Sequence, residues 1–299
     1  MTKQSARRPR AVHRAGRPTA MRPPGASLAI PAGELDVWSL RPPHTEDGPV
    51  TMATGELDEN ERRRADAFLR PSDRLQYVAA HIALRRLLAA YTGVAPERVR
   101  LGGDPACDHG GRRARPAMLD APIPLHFSLS HSHGLVLFGV AATPVGVDVQ
   151  RVPSPVTAGL CLPRLHPAEQ EELARLPDEE RPSAFGRLWT RKEAYLKGLG
   201  TGLGRSPAAD YLGERRGAAA PVRPSGWIVR NLPTAPGHVA AAAVLAEADH
   251  RATVRTLPAE CLYVKDAAGA VELFAAAETA AATQEVIEMA TEREVGTPC

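Results

Sequence analysis

Gly146-Val147-Asp148-Val149-Gln150 and Trp189-Thr190-Arg191-Lys192-Glu193-Ala194-Tyr195-Leu196-Lys197 are the two stretches from which the rest of this chain is read. The first alternates apolar and polar residues. It is therefore read as a strand, with Val147 and Val149 on one face and Asp148 and Gln150 on the other. A carboxylate and an amide then offer two hard oxygen donors from one patch. The second stretch lies in a predicted helix from about Pro182 to Leu199, ended by Gly200-Thr201-Gly202. Glu193 and Lys197, four residues apart, share a helix face, with Trp189 one turn earlier.

A carboxylate beside an ammonium suits a place where a metal ion and a phosphate meet. Mg²⁺ fits such a set, because it prefers octahedral oxygen and is usually held by one or two carboxylates plus substrate phosphate. Asp148 and Glu193 are the candidate carboxylates, with Gln150 as a third ligand. No His/Cys set at zinc spacing competes. Taken singly, Asp148 reads better as a strand-end turn residue, and Glu193 with Lys197 as a surface ion pair worth a few tenths of a kcal/mol. Together they form a candidate site.

Outward from these motifs, Glu34 to Leu40 reads as a first strand. A helix is predicted over about Asp58 to Leu69 and a longer one from Pro71 to about Tyr91, stopped by Thr92-Gly93. Residues 102–116 read as a Gly- and Arg-rich loop. His126 to Leu129 and Leu135 to Ala141 read as strands joined through Ser130-His131-Ser132-His133-Gly134, and Thr143-Pro144 as a turn. Pro153 to Pro163 reads as a connector, and His166-Pro167 opens a helix to about Leu176. Late strands are expected at Trp227 to Asn231 and His238 to Leu245. A short strand is expected around Leu262 to Val264, and a helix within Leu273 to Thr291. Tyr77-x₃-His81 leading to Arg85 resembles Phe185-x₃-Trp189 leading to Glu193, a hint of internal duplication.

The chain has 299 residues, 43% of them hydrophobic and 4% aromatic, and a net charge of +3. It can bury a core, and its charge does not by itself point to nucleic acid or a membrane. Residues 1–33 are basic, rich in proline and without periodicity, and read as a disordered leader. They lack the apolar core of a secretory signal, and no run reaches the length of a membrane span. None of the 4 cysteines is paired at C-x-x-C spacing. A reduced, cytoplasmic protein is expected. Cys107-Asp108-His109 is read as an incidental loop trio. Ser130 and His131 suggest hydrolase chemistry, but there is no G-x-S-x-G elbow and adjacent residues do not make a triad. Small hydroxyls and an imidazole at a strand end suit phosphate better. The clusters Arg62 to Arg64 and Arg112, Arg113 and Arg115 are further phosphate candidates.

In order along the chain, the Arg64-x₃-Phe68-x₄-Asp73 to Arg85 region, the loop ending Arg115-Pro116, Phe127-x-Leu129-Ser130-His131-Ser132, and the two opening motifs running on to Gly200-x-Gly202-Leu203 resemble the surfactin-synthetase-activating type of 4′-phosphopantetheinyl transferase. Coverage is about Glu34 to Ala248. The resemblance implies an α+β fold of two similar halves related by a pseudo-twofold axis, residues 34–145 and 146–250, with residues 251–299 an extension of unknown role. It implies transfer of phosphopantetheine from coenzyme A to a serine of an acyl or peptidyl carrier protein, by a monomer that needs neither nucleic acid nor a membrane. By position, Asp148 and Glu193 bind Mg²⁺, Glu193 helps deprotonate the serine, and Lys197 holds the pyrophosphate. Ser130, His131, Arg64 and Arg115 contact coenzyme A phosphates. Two residues depart from the pattern: Gln150 replaces a frequent Glu, and Ala114 a frequent Gly. A catalytically weak carrier-binding relative is the competing reading, with Gln150 its support.

Overall fold

The computed structural model describes residues 23–30, 33–43, 52–104, 115–215, 220–247, 249–263, 267–279 and 285–289. Most of the basic leader, the Cys107-Asp108-His109 trio, Arg112, Arg113 and Ala114 lie outside them. Among the described residues, ten strands and six α-helices run in the order β1 (Glu34–Leu40), α1 (Glu59–Asp66), α2 (Pro71–Thr92), β2 (Arg100–Gly103), β3 (Pro116–Leu119), β4 (His126–Ser132), β5 (Leu135–Ala141), β6 (Val145–Arg151), α3 (Pro155–Cys161), α4 (Pro167–Ala174), α5 (Arg181–Leu199), β7 (Trp227–Leu232), β8 (His238–Leu245), β9 (His250–Thr256), α6 (Ala267–Thr279) and β10 (Glu285–Met289). The fold is α+β.

Strand alternation sorts these elements into four layers. One sheet has the order β10-β9-β1-β5-β4, another β6-β8-β7, and β2 pairs with β3 as a separate hairpin. Leu35, Val37, Leu135 and Leu137 from the larger sheet meet Val145, Val147, Val149, Ala240, Ala242 and Val244 from the smaller in a core between the sheets. The alternate residues point outwards. Trp38, Phe127, Val136 and Phe138 pack under α2 and α6. Val229, Ala241 and Ala243 pack under α5. β5 is buried along its whole length because both of its faces are covered.

Helix ends follow their local chemistry. Asp58 caps α1 in a reciprocal capping box with Glu61, so the expected start is displaced by one residue, and the helix stops at Asp66 rather than Leu69. Gly93 and Gly200 end α2 and α5 in the left-handed conformation.

Several expectations are corrected. The 102–116 loop is flanked by the β2–β3 hairpin, whose four-residue strands were too short to show a period. β4 continues through Ser132. The 153–163 connector contains α3. No strand forms at Leu262, which ends a short 3₁₀ turn. Instead β9 pairs in parallel with β1, β10 pairs with β9, and α6 occupies residues 267–279. β9 escaped notice because its buried face carries Thr253 and Arg255. Arg255 ion-pairs with Asp36 of β1, which also accepts a hydrogen bond from the Tyr91 hydroxyl at 2.6 Å. The segment after residue 250 thus completes the larger sheet.

Candidate active site

β6 is the edge of the smaller sheet and lies alongside β4, the edge of the larger. No backbone ladder joins them. Alternation on β4 aims Ser128, Ser130 and Ser132 at β6, and their hydroxyls accept from the backbone N–H groups of Val147, Val149 and Arg151 at 3.0, 3.3 and 3.1 Å. Three side chains thus satisfy donors that would otherwise be buried without partners. This seam fixes the register of β6, and with it the height of Asp148.

Asp148 is buried at 1% exposure on the face of β6 that looks towards α5. Its Oδ1 accepts from the Ser130 hydroxyl at 2.8 Å and from Lys197 Nζ at 2.7 Å. Its Oδ2 accepts from the Gln150 amide at 3.3 Å. Lys197 also donates to the Val147 carbonyl at 3.2 Å. Glu193, one turn earlier on the same helix face, is half-buried, and no hydrogen bond engages its carboxylate among the described residues. Its pKa is raised, first by burial and then by the charge of Asp148, with Lys197 opposing.

Close helix–strand contact makes this meeting possible. A Cβ on Gly146 would lie 1.9 Å from the Ala194 carbonyl oxygen and 2.5 Å from Gly198 N. Only a residue without a side chain lets α5 sit this near β6. Lys192, beside Glu193 in sequence, faces the opposite way. It is 1% exposed and pairs at 2.6 Å with Glu169 of α4, itself 0% exposed. Glu169 in turn accepts from Leu212 N at 2.6 Å. One helix therefore anchors itself with Lys192 and presents Glu193 and Lys197 to the cleft.

The remaining candidates are distributed unequally. Exposed Arg64 of α1 carries no ion pair among the described residues, and its guanidinium lies 5.9 Å from the Tyr77 ring. Tyr77 stacks on His81 at 4.1 Å. His131 is exposed at the end of β4, within electrostatic reach of Lys197, His81, Asp73 and Asp148. Its pKa is lowered, first by the protein atoms around its ring and then by Lys197. Arg115 is different. It is buried, paired with Asp104 at 2.5 Å, and donates to the Gly198 carbonyl at 2.7 Å. Its guanidinium pins the end of α5. Ser130 is likewise committed to Asp148 and Val149. Arg85 is fully buried on Asp58, Glu61 and two carbonyls.

A cavity of about 600 Å³ opens beside Gln150, walled among others by Pro153, Thr157, Cys161, Phe185 and Trp189; neither Asp148 nor Glu193 lines it. The seam serines Ser128 and Ser132 and the wall supplied by α3 are additions that the structure makes to the site. Serines at every second position of a strand were the available signal. Among the described residues no three His, Cys, Asp or Glu side chains form a metal-ligand group. The carboxylate pair is nonetheless a donor set of the size Mg²⁺ uses with phosphate.

The pattern of the 4′-phosphopantetheinyl transferase superfamily matches residues 144–253, which hold β6, α5 and the strands behind them. The chain is 32% identical over 187 residues to the 4′-phosphopantetheinyl transferase HetI of Nostoc sp., covering 61% of this chain and 76% of that one. It is 25% identical over 167 residues to a 4′-phosphopantetheinyl transferase of Bacillus subtilis, covering 56% and 70%. This chain belongs to the 4′-phosphopantetheinyl transferase family, enzymes that move phosphopantetheine from coenzyme A to carrier proteins.

Proposed function

We propose that the carrier serine and the pyrophosphate of coenzyme A meet between Asp148, Glu193 and Lys197, in an enzyme of the surfactin-synthetase-activating type. The observation that carries this reading is the half-buried Glu193 carboxylate, without a hydrogen-bond partner among the described residues, beside the Asp148–Lys197 pair. Burial and like charge disfavour a second carboxylate there, and a cation relieves both. Mg²⁺ fits that donor set, with Asp148 and Glu193 as its carboxylates. When bound, it would neutralise charge on the phosphates.

The chain's own groups do the rest. Glu193 accepts the proton of the carrier serine as its oxygen bonds to the β-phosphorus of coenzyme A. The bond from that phosphorus to the bridging oxygen breaks, and adenosine 3′,5′-bisphosphate leaves. Lys197 offers an ammonium to the leaving charge, and His131 and Arg64 line the approach of the outer phosphates.

Two similar halves, 34–145 and 146–250, are part of the proposal. In both β1-β5-β4 and β6-β8-β7 the first strand pairs antiparallel with the third and the third with the second, and helices follow each first strand. That shared order supports a pseudo-twofold relation. Since it supplies both walls of the cleft from one chain, a monomer is proposed. No helix among the described residues is long and apolar enough to cross a membrane. The free thiols Cys161 and Cys261 suit the cytoplasmic setting proposed for it.

The experiment is intact-mass analysis of apo acyl and peptidyl carrier domains incubated with this protein, coenzyme A and Mg²⁺. Addition of one phosphopantetheinyl group is expected, absent with chelator and with Glu193→Ala. Full transfer by Glu193→Ala, or transfer indifferent to chelator, would remove Glu193 or the cation from the mechanism.

A further inference from the structure

We propose that Ser130 and Gln150 are positioning residues that hold the Asp148 carboxylate in its working orientation, and that neither takes phosphate or metal itself. The inference rests on the assignment of Asp148 to the cation made above.

Ser130 is 5% exposed. A hydroxyl has one proton to donate. That proton goes to Asp148 Oδ1 at 2.8 Å, because Val149 N–H already donates to the same oxygen at 3.3 Å. A buried hydroxyl whose only proton is engaged has nothing to give an ionised phosphate, which accepts and does not donate. On the other carboxylate oxygen, the Gln150 amide donates at 3.3 Å. With Lys197 on Oδ1, both oxygens are anchored and the carboxylate plane is fixed. Hydrogen bonds of this kind orient a ligand and leave its remaining lone pairs for the ion.

The amide at position 150 is then a functional choice. A glutamate there would bring a second negative charge to within hydrogen-bonding distance of Asp148, with no proton to share. Ser130 adds a link to the fold. The same row of serines that joins β4 to β6 carries the donor to Asp148, so a slip of that seam would release the carboxylate as well.

The test compares Ser130→Ala, Ser130→Thr, Gln150→Leu and Asp148→Ala with the wild-type protein. Mg²⁺ affinity is measured by calorimetry without coenzyme A. Water molecules on bound Mn²⁺ are counted by proton relaxation, and kcat and KM for coenzyme A are measured at saturating metal. Ser130→Ala and Gln150→Leu are each expected to weaken the metal about tenfold or more, the usual effect of losing an orienting partner. KM for coenzyme A should stay within about twofold, because no ground-state contact to that substrate is removed. Ser130→Thr keeps the hydroxyl and should restore the affinity. Should Ser130→Ala instead raise KM about tenfold with metal affinity intact, Ser130 is a phosphate contact after all. One additional water on Mn²⁺ in Gln150→Leu would make Gln150 a direct ligand. Gln150 is half-buried at the cleft, so its variant remains informative if Ser130→Ala melts early. Asp148→Ala separates the two levels: if it binds Mg²⁺ as wild type does, the cation assignment itself fails, whatever the other variants show.

Discussion

Gly146→Ala adds one methyl group to β6 on the face that meets α5. That methyl would lie 1.9 Å from the Ala194 carbonyl oxygen, 2.5 Å from Gly198 N and 3.0 Å from the Ala194 carbonyl carbon. All three are backbone atoms, so no rotamer relieves the clash. A carbon normally comes no nearer to a carbonyl oxygen than about 3.3 Å, so the helix must retreat by roughly 1.4 Å. The retreating turn runs from Ala194 to Gly198, directly after Glu193 and including Lys197. The movement breaks the 2.7 Å Lys197–Asp148 contact and carries Glu193 away from the strand. Overpacking of this kind costs about 1–3 kcal/mol of stability. A displacement of about 1 Å in a reacting group costs on the order of a hundredfold in rate. The expected result is a folded protein that melts several degrees lower and transfers phosphopantetheine about a hundredfold more slowly. Thermal unfolding followed by circular dichroism and timed intact-mass assays on an apo carrier measure the two effects. Gly159→Ala in α3 is the control. A Cβ there meets nothing within 4 Å, and alanine in a helix is favoured over glycine by roughly 0.5–1 kcal/mol. If Gly146→Ala matches Gly159→Ala in melting temperature and rate, close approach of α5 to β6 does not set the site.

Lys192→Met leaves Glu169 buried without its cationic partner and should destabilise the fold by about 3–5 kcal/mol, measured by urea unfolding; Lys197→Met likewise strands the buried Asp148 carboxylate and should lower stability as well as abolish activity. His131 is expected to link coenzyme A binding to proton uptake. Its pKa in the free protein is lowered from the ordinary histidine value, and an anion beside it favours the imidazolium, so affinity should rise as the pH is made more acidic. Calorimetry in buffers of differing ionisation enthalpy, without metal, should show fractional uptake that Gln at position 131 abolishes; pH-independent binding by the wild type would dissociate His131 from the phosphates. Burial pushes the Cys261 thiol up to about 12, so native-state alkylation followed by peptide mapping should label Cys161 and spare Cys261.

Where a residue's surroundings are local, the sequence displayed them. Alternation placed Val147 and Val149 in the core between the sheets and Asp148 on the opposite face, and the i,i+4 spacing put Glu193 and Lys197 together. What remained hidden depends on partners distant in sequence. Arg115 reads as an open basic loop residue until Asp104 and the carbonyl of Gly198 are brought to it. Lys192 and Glu193 are adjacent and carry opposite charges, yet only the position of Glu169 decides that the lysine is the buried anchor. Ser130 reads as a phosphate donor because a hydroxyl beside a histidine at a strand end has that chemistry; its proton is claimed by a carboxylate on another strand. β9 could not be recognised at all, because its inward arginine becomes a core residue only through Asp36 on β1. In each case a polar side chain changed meaning when a distant group took up its hydrogen-bonding capacity. The same logic singles out Glu193. Among the candidate carboxylates it is the one that the fold brings near its partners and leaves unengaged, and an unengaged, half-buried carboxylate is costly unless something else is meant to occupy it.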